Sequence, residues 1–174
     1  MHFKARGFSP VNSSPKMSKR TLPLLLLTLL ALFAAPRLAY AQQLPPITVI
    51  TVEHAGCLGT CPVYKVILRR SGTATFIGTN YVTKLGTYAS SVSGFDHLAR
   101  AIQARNFSKF KPVYTRDVTD NPGVETGVGT KTRRIIVVNY ADTGPQALWE
   151  IQAMIDGVAT ELQWKKVSDK RHDP

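Results

Sequence analysis

The sequence predicts an α+β domain: a mostly antiparallel sheet of about five to six strands packed by two helices. Three observations carry that expectation. From Ile47 to Val92, β-forming segments with a period of two are separated by glycine turns, as the strands of an antiparallel sheet require. From Ser93 the period lengthens to that of a helix, returns to a strand at Ile135-Ile136-Val137-Val138, and closes in a second helical stripe. Strands, then a helix, then one or two strands and a helix do not make the strict alternation of a nucleotide-binding α/β fold.

The first 41 residues read as an export signal. Met17-Ser18-Lys19-Arg20 is a basic start, Leu22 to Ala35 an apolar core, and Ala39-Tyr40-Ala41 a small-x-small cleavage site before Gln42. The apolar core falls short of the roughly 20 residues needed to span a bilayer. No stable membrane span is therefore expected after cleavage following Ala41. Met1 to Lys16 reads as an upstream start or an extension of the basic region. The leader holds six basic residues (Lys4, Arg6, Lys16, Lys19, Arg20, Arg37) and no acidic ones, so the formal charge of +11 falls to +5 without it. Residues 42–164 then make one exported domain, long enough to bury a core. A modest basic excess outside the cytosol argues against nucleic acid and suits either a soluble surface or attraction to anionic partners.

Along that domain, Ile47 to His54 follows Pro45-Pro46 and is rich in β-branched residues, which makes a first strand. Val63 to Arg70 sets Tyr64, Val66 and Leu68 on one face and Lys65 and Arg69 on the other. Ser71-Gly72 turns the chain into Thr73 to Ile77, completing a hairpin. Tyr81 to Val92 reads as a fourth strand, broken near Gly86. Ser93, with Asp96 three positions on, is a weak capping box for a helix whose apolar face is Phe95, Leu98, Ala99 and Ile102. Phe107 and Phe110 follow as a plug at one edge of the core. Lys111 to Thr130 holds Pro112, Pro122, Gly123, Gly127 and Gly129, so it reads mostly as loop, with a poor strand around Val124 to Val128.

Lys131 to Tyr140 is the clearest strand; its apolar run on both faces predicts a central or doubly covered position. Gly144-Pro145 opens the last helix, where Leu148, Ile151, Ile155, Val158 and Leu162 form one stripe. Gly157 weakens that helix by roughly 1 kcal/mol relative to alanine, so fraying is expected from there. Trp164 is expected to return over the core, and residues 165–174 read as a mobile charged tail.

Chemistry in this chain centres on its only two cysteines, in Gly56-Cys57-Leu58-Gly59-Thr60-Cys61-Pro62. In an oxidising compartment such a pair reads first as a disulfide, with Gly56, Gly59 and Pro62 shaping the sharp bend and Tyr64 following it. Closing so small a loop contributes roughly 2 kcal/mol in the chain-entropy model. A thiol–disulfide redox role is the alternative, although active dithiols usually have two intervening residues and stand at a helix start. Metal binding would recruit His54 and, at a distance, His97, which leaves a zinc site short of four defined ligands.

Other motifs are weaker. Gly127-Val128-Gly129-Thr130-Lys131-Thr132 resembles a phosphate loop but leads into a strand, not into a helix whose amides would bind phosphate. Nucleophile-elbow, zinc-helix and haem-attachment signatures are missing from the sequence, and no cofactor is implied. Asp117, Asp120 and Glu125 would have to meet in the long loop to serve as an acid pair or a calcium site, and such residues more often cap turns. Arg69, Arg70, Lys131, Arg133 and Arg134 would form a basic docking face if the hairpin and the central strand are neighbours; lysines and arginines at a sheet edge also simply discourage aggregation.

Gly56-Cys57, Gly59, Cys61-Pro62 and Tyr64, then Gly72 and Thr73-Ala74-Thr75-Phe76, Phe107, Val118-Thr119-Asp120, Ile155-Asp156 and Trp164, together resemble a family of bacterial exported domains catalogued as a domain of unknown function. The resemblance covers nearly all of the mature chain. It departs between Gly123 and Gly129, which is richer in glycine than a strand should be. It implies export and a shared fold, and brings no activity with it. The combined expectation is a periplasmic or secreted, non-catalytic binding or accessory module whose partner is a protein or an anionic envelope component.

Overall fold

The computed structural model describes residues 46–170. The leader and its cleavage site lie outside the described residues. One eight-stranded sheet organises the rest: β1 (Val49–Ala55), β2 (Val63–Arg69), β3 (Thr73–Asn80), β4 (Gly86–Ser91), β5 (Val113–Tyr114), β6 (Gly123–Gly129), β7 (Arg134–Tyr140) and β8 (Lys165–Ser168). Their order across the sheet is β5-β7-β6-β1-β2-β3-β4-β8. Every pairing is antiparallel except that of β5 with β7. Helices α1 (Phe95–Ala104) and α2 (Gln146–Glu161) complete an α+β fold, with a 3-10 turn at Phe107–Lys109 between α1 and β5.

Strand parity decides which side is covered. Ile50 and Val52 of β1, Val66 and Leu68 of β2, Ala74 of β3, Val128 of β6 and Val137 of β7 share one face and are buried in one apolar cluster. Phe95, Leu98, Ala99 and Ile102 of α1 and Leu148, Ile151 and Ile155 of α2 fill that cluster from above. The opposite face carries Lys65, Ile67, Ile77, Glu125 and Ile136, none of them buried. A buried polar chain ties α2 to the sheet: Asn139 Nδ2 donates to Gln152 Oε1 (3.3 Å) and Gln152 Nε2 donates to Thr126 Oγ1 (3.1 Å). Asn139 Oδ1 also accepts the Gly144 amide at 2.8 Å, which fixes the entry into the helix. Paired in this way, three polar side chains sit in the core with hydrogen bonds that offset the cost of leaving water.

Eight strands stand where five to six were expected, and each difference has a local cause. β6 forms in the glycine-rich segment because it is paired along its whole length on both sides, by β1 and β7. Its parity sends Val124, Thr126 and Val128 toward the helices and Gly127 to the open face. A Cβ on Gly127 would collide with Thr51 Oγ1 and press on the Arg134 guanidinium, which lies across it. Low strand propensity is thus offset by close approach of neighbours.

β8 occupies part of the segment expected to be a charged tail, adding an edge to β4 at Lys165 and Lys166. Exposed lysines suit such an edge. The fourth strand begins at Gly86, and β3 runs on to Asn80; Tyr81 to Leu85 is a loop folded back so that the Lys84 carbonyl occupies the place a Cβ on Gly78 would take. β7 is not central: its only outer neighbour is the two-residue β5, and Ile136 is 39% exposed on the open face. Ser93 does not cap α1, whose N-cap is Gly94 without a side-chain hydrogen bond. Asp96 instead receives both Nε and Nη2 of Arg70, at 2.9 and 2.7 Å. Gly157 faces solvent and α2 continues past it to Glu161. Among the described residues, no helix is long and apolar enough to cross a membrane.

Candidate functional site

The cysteine loop joins β1 to β2, and register across that hairpin builds the site beside it. Cys57 and Cys61 are bonded, with Cα atoms 5.6 Å apart. Gly59 takes a positive φ of 137° inside the loop, a conformation an L side chain would strain. The Leu58 amide donates to the Asp120 carbonyl at 3.1 Å, which fastens the loop to the segment before β6. Leu58 itself is 82% exposed at the tip.

Immediately below the loop, His54 and Tyr64 are direct cross-strand partners. Both share the parity of the core residues, so both rings turn toward the helices. They stack at 4.4 Å between centroids. Tyr64 continues the file onto Phe76 at 5.5 Å, and Phe76 onto Trp164 at 5.6 Å. From above, α2 lowers Asp156 onto the first two rings. Its Oδ1 accepts Tyr64 Oη and its Oδ2 meets His54 Nε2, each at 3.0 Å. An ionised carboxylate offers only acceptors, so Nε2 carries the hydrogen in that pair. Burial pushes the Tyr64 phenol well above its ordinary value, and the neighbouring Asp156 charge and hydrogen bond push it further the same way.

This cluster forms one wall of a cleft of about 350 Å³. Pro62, next to Cys61, stands at one side, and Tyr81, Thr83 and Lys84 of the β3–β4 loop stand at another. Trp164 closes the end, held by its indole donating to the Ala159 carbonyl at 2.9 Å. Tyr81 is 53% exposed and has a φ of 48°, a left-handed conformation that costs a non-glycine residue of order 1–3 kcal/mol. Folding of the loop over Gly78 maintains it. The cleft offers aromatic faces, one carboxylate already engaged by two donors, hydroxyls from Thr83 and Thr160, and the Lys84 ammonium. Among the described residues, no hydroxyl or thiol nucleophile is hydrogen-bonded to His54.

The sequence reading placed Cys57, Cys61, Gly56, Gly59 and Pro62 in one loop, where they are, and gave His54 only as the end of the first strand and a candidate metal ligand. Its stacking on Tyr64 and its hydrogen bond with Asp156 were missed, although its even spacing from Ile50 and Val52 already assigned it to the core face. Asp156 follows Ile155 of the buried stripe, yet its partners come from 92 and 102 residues away in sequence. The five basic residues divide among environments. Arg69 and Arg134 stand on the open face, in a row with Val49 and Gly129 between them. Arg70 pairs with Asp96, Arg133 lines a separate cavity, and Lys131 stands in the β6–β7 turn. Glu125 lies in β6 opposite Glu53, away from the loop that holds Asp117 and Asp120. Among the described residues, no three His, Cys, Asp or Glu side chains are grouped to hold a metal ion.

No curated protein matches this chain. Residues 48–159, from the step into β1 to Ala159 near the end of α2, match the family described as Domain of unknown function (DUF6438). That match spans more than half of the sequence and contains the disulfide loop, the His54–Tyr64 pair and Asp156; the protein belongs to the DUF6438 family.

Proposed function

We propose that this chain is an exported, non-catalytic binding module of the bacterial cell envelope, and that it engages its partner through the cleft beside the disulfide loop. One observation carries the reading. Residues from four separate parts of the chain, Pro62 and Tyr64, Phe76, Tyr81 to Lys84, and the Asp156–Trp164 segment, meet around one cleft that reaches Pro62, the residue next to the Cys57–Cys61 bond. Pre-ordering a recognition surface lowers the entropy lost on binding. A disulfide and a loop held in a left-handed conformation both serve that end. Several residues that carry the family resemblance, Pro62, Tyr64, Phe76, Asp156 and Trp164, line this cleft. The leader supports export, and an oxidising compartment is where the cysteine bond persists.

Passing an envelope extract over the oxidised chain from Gln42 tests the reading. A partner retained by the parent and by Arg69→Ala with Arg134→Ala, but lost with Tyr81→Ala and Lys84→Ala, is the expected result. Retention indifferent to the cleft substitutions contradicts it. The competing redox reading gains little from the geometry, because the cysteines join two strands and neither stands at a helix start. A structural bond has a reduction potential below about −300 mV, whereas a catalytic one lies well above it.

A further inference from the structure

A second cavity, distinct from the cleft, lies where α1 and the 3-10 turn meet the β6–β7 hairpin. It has a volume of about 300 Å³. Its floor is Ile47, Ile102, Phe107 and Val128, all buried, with Ile135 at the side. Lys109 and Arg133 stand at the rim and are exposed. No acidic residue lines the cavity, and neither cation has an ion-pair partner among the described residues. Arg70 and Arg105 are by contrast matched with Asp96 and Glu150, while Arg100, in α1 itself, has no ion pair among the described residues. An apolar floor with a polar rim whose only charged members are two unmatched cations is complementary to a ligand with an alkyl body and an anionic head.

We infer that this cavity binds a single-chain fatty acid, its alkyl chain on Ile102, Phe107 and Val128 and its carboxylate between Arg133 and Lys109. The volume selects one chain over two, since it stands at the lower end of the roughly 300–1,000 Å³ typical of ligand pockets. Thr132 brings a hydroxyl to the cavity lining, whereas Thr130 Oγ1 already donates to the Arg133 carbonyl. Arg133 adds a planar fork that matches a carboxylate on two nitrogens. The site is separate from the proposed recognition cleft, and its failure would leave that reading untouched.

Decanoate is the probe, titrated below its aggregation limit into the folded chain from Gln42 and followed by methyl and amide NMR shifts. Saturable shifts at Ile102, Val128 and Ile135, without matching shifts at Tyr64 or Trp164, are expected. Lys109→Glu with Arg133→Glu, both surface changes, should weaken decanoate roughly tenfold or more through the lost charged hydrogen bonds. Decyltrimethylammonium should bind the parent more weakly than decanoate. Absence of shifts at the cavity residues, equal binding of the cationic analogue, or decanoate affinity unchanged by the double substitution would each overturn the inference. So would contacts in the free chain showing residues 42–45 seated in the cavity.

Discussion

Asp156 is the residue on which the site turns, because one carboxylate answers two donors from two strands. Asp156→Ala leaves Tyr64 Oη and His54 Nε2 without that charged acceptor. Hydrogen bonds to a charged group contribute about 1.5–3 kcal/mol, so the substitution should lower unfolding free energy by about 2 kcal/mol, measured in urea. Tyr64→Phe, which keeps the ring stack, should cost less. Tyr64 also sets an alkaline limit. Its folded-state value lies above the unfolded one, so folding favours the neutral phenol. The resulting stabilisation is fully present below about pH 10, the value for an unfolded tyrosine, and is lost as pH rises toward the folded-state value. Urea unfolding at neutral pH and at pH 11 should therefore show a stability loss that is smaller in Tyr64→Phe; equal losses would contradict this.

At the scale of elements, the β1–β2 hairpin with its bonded loop and the β3–β4 loop over Gly78 are the two supports of the cleft. Reducing Cys57–Cys61 should lower stability by roughly 2 kcal/mol and increase amide exchange at Leu58. Gly78→Ala should destabilise by about 1–3 kcal/mol, since the added methyl overpacks against the Lys84 backbone. Gly157→Ala should do the opposite. Nothing lies within 4 Å of a Cβ there, and alanine is about 1 kcal/mol better than glycine in a helix interior. Thermal melts of the pair should move in opposite directions.

The elements legible in the sequence were those whose own residues decide them: the alternation of β2, the faces of α1 and α2, and the cysteine loop. β5 and β8 were hidden because neighbours define them, β5 by lying along β7 and β8 by docking on β4 after Trp164; β6 read only as a poor strand around Val124 to Val128, since two full-length pairings that tolerate glycine are what stabilise it. The apolar run of β7 suggested cover on both faces, and nothing local reveals that Ile136 faces an open side. The candidate site was legible only in halves. Parity assigns His54 and Tyr64 to the helix side, but their meeting with Asp156 depends on how α2 crosses the sheet.

At the scale of the whole described domain, helices cover one face of the sheet, the proposed recognition cleft lies at the disulfide end, and a basic-rimmed cavity lies at the β6–β7 hairpin. The basic residues do not form one patch, because strand parity and the Arg70–Asp96 pair distribute them. Moderate salt should accordingly weaken partner capture only modestly if the cleft carries it, and steeply if Arg69 and Arg134 do. Site-specific photo-crosslinking in intact cells tests the central claim most directly, with the reactive group placed at Tyr81 in the cleft and, separately, at Ile136 on the open face. A discrete adduct from position 81 and none from 136 is the predicted result; an adduct from 136 with none from 81 would contradict the account.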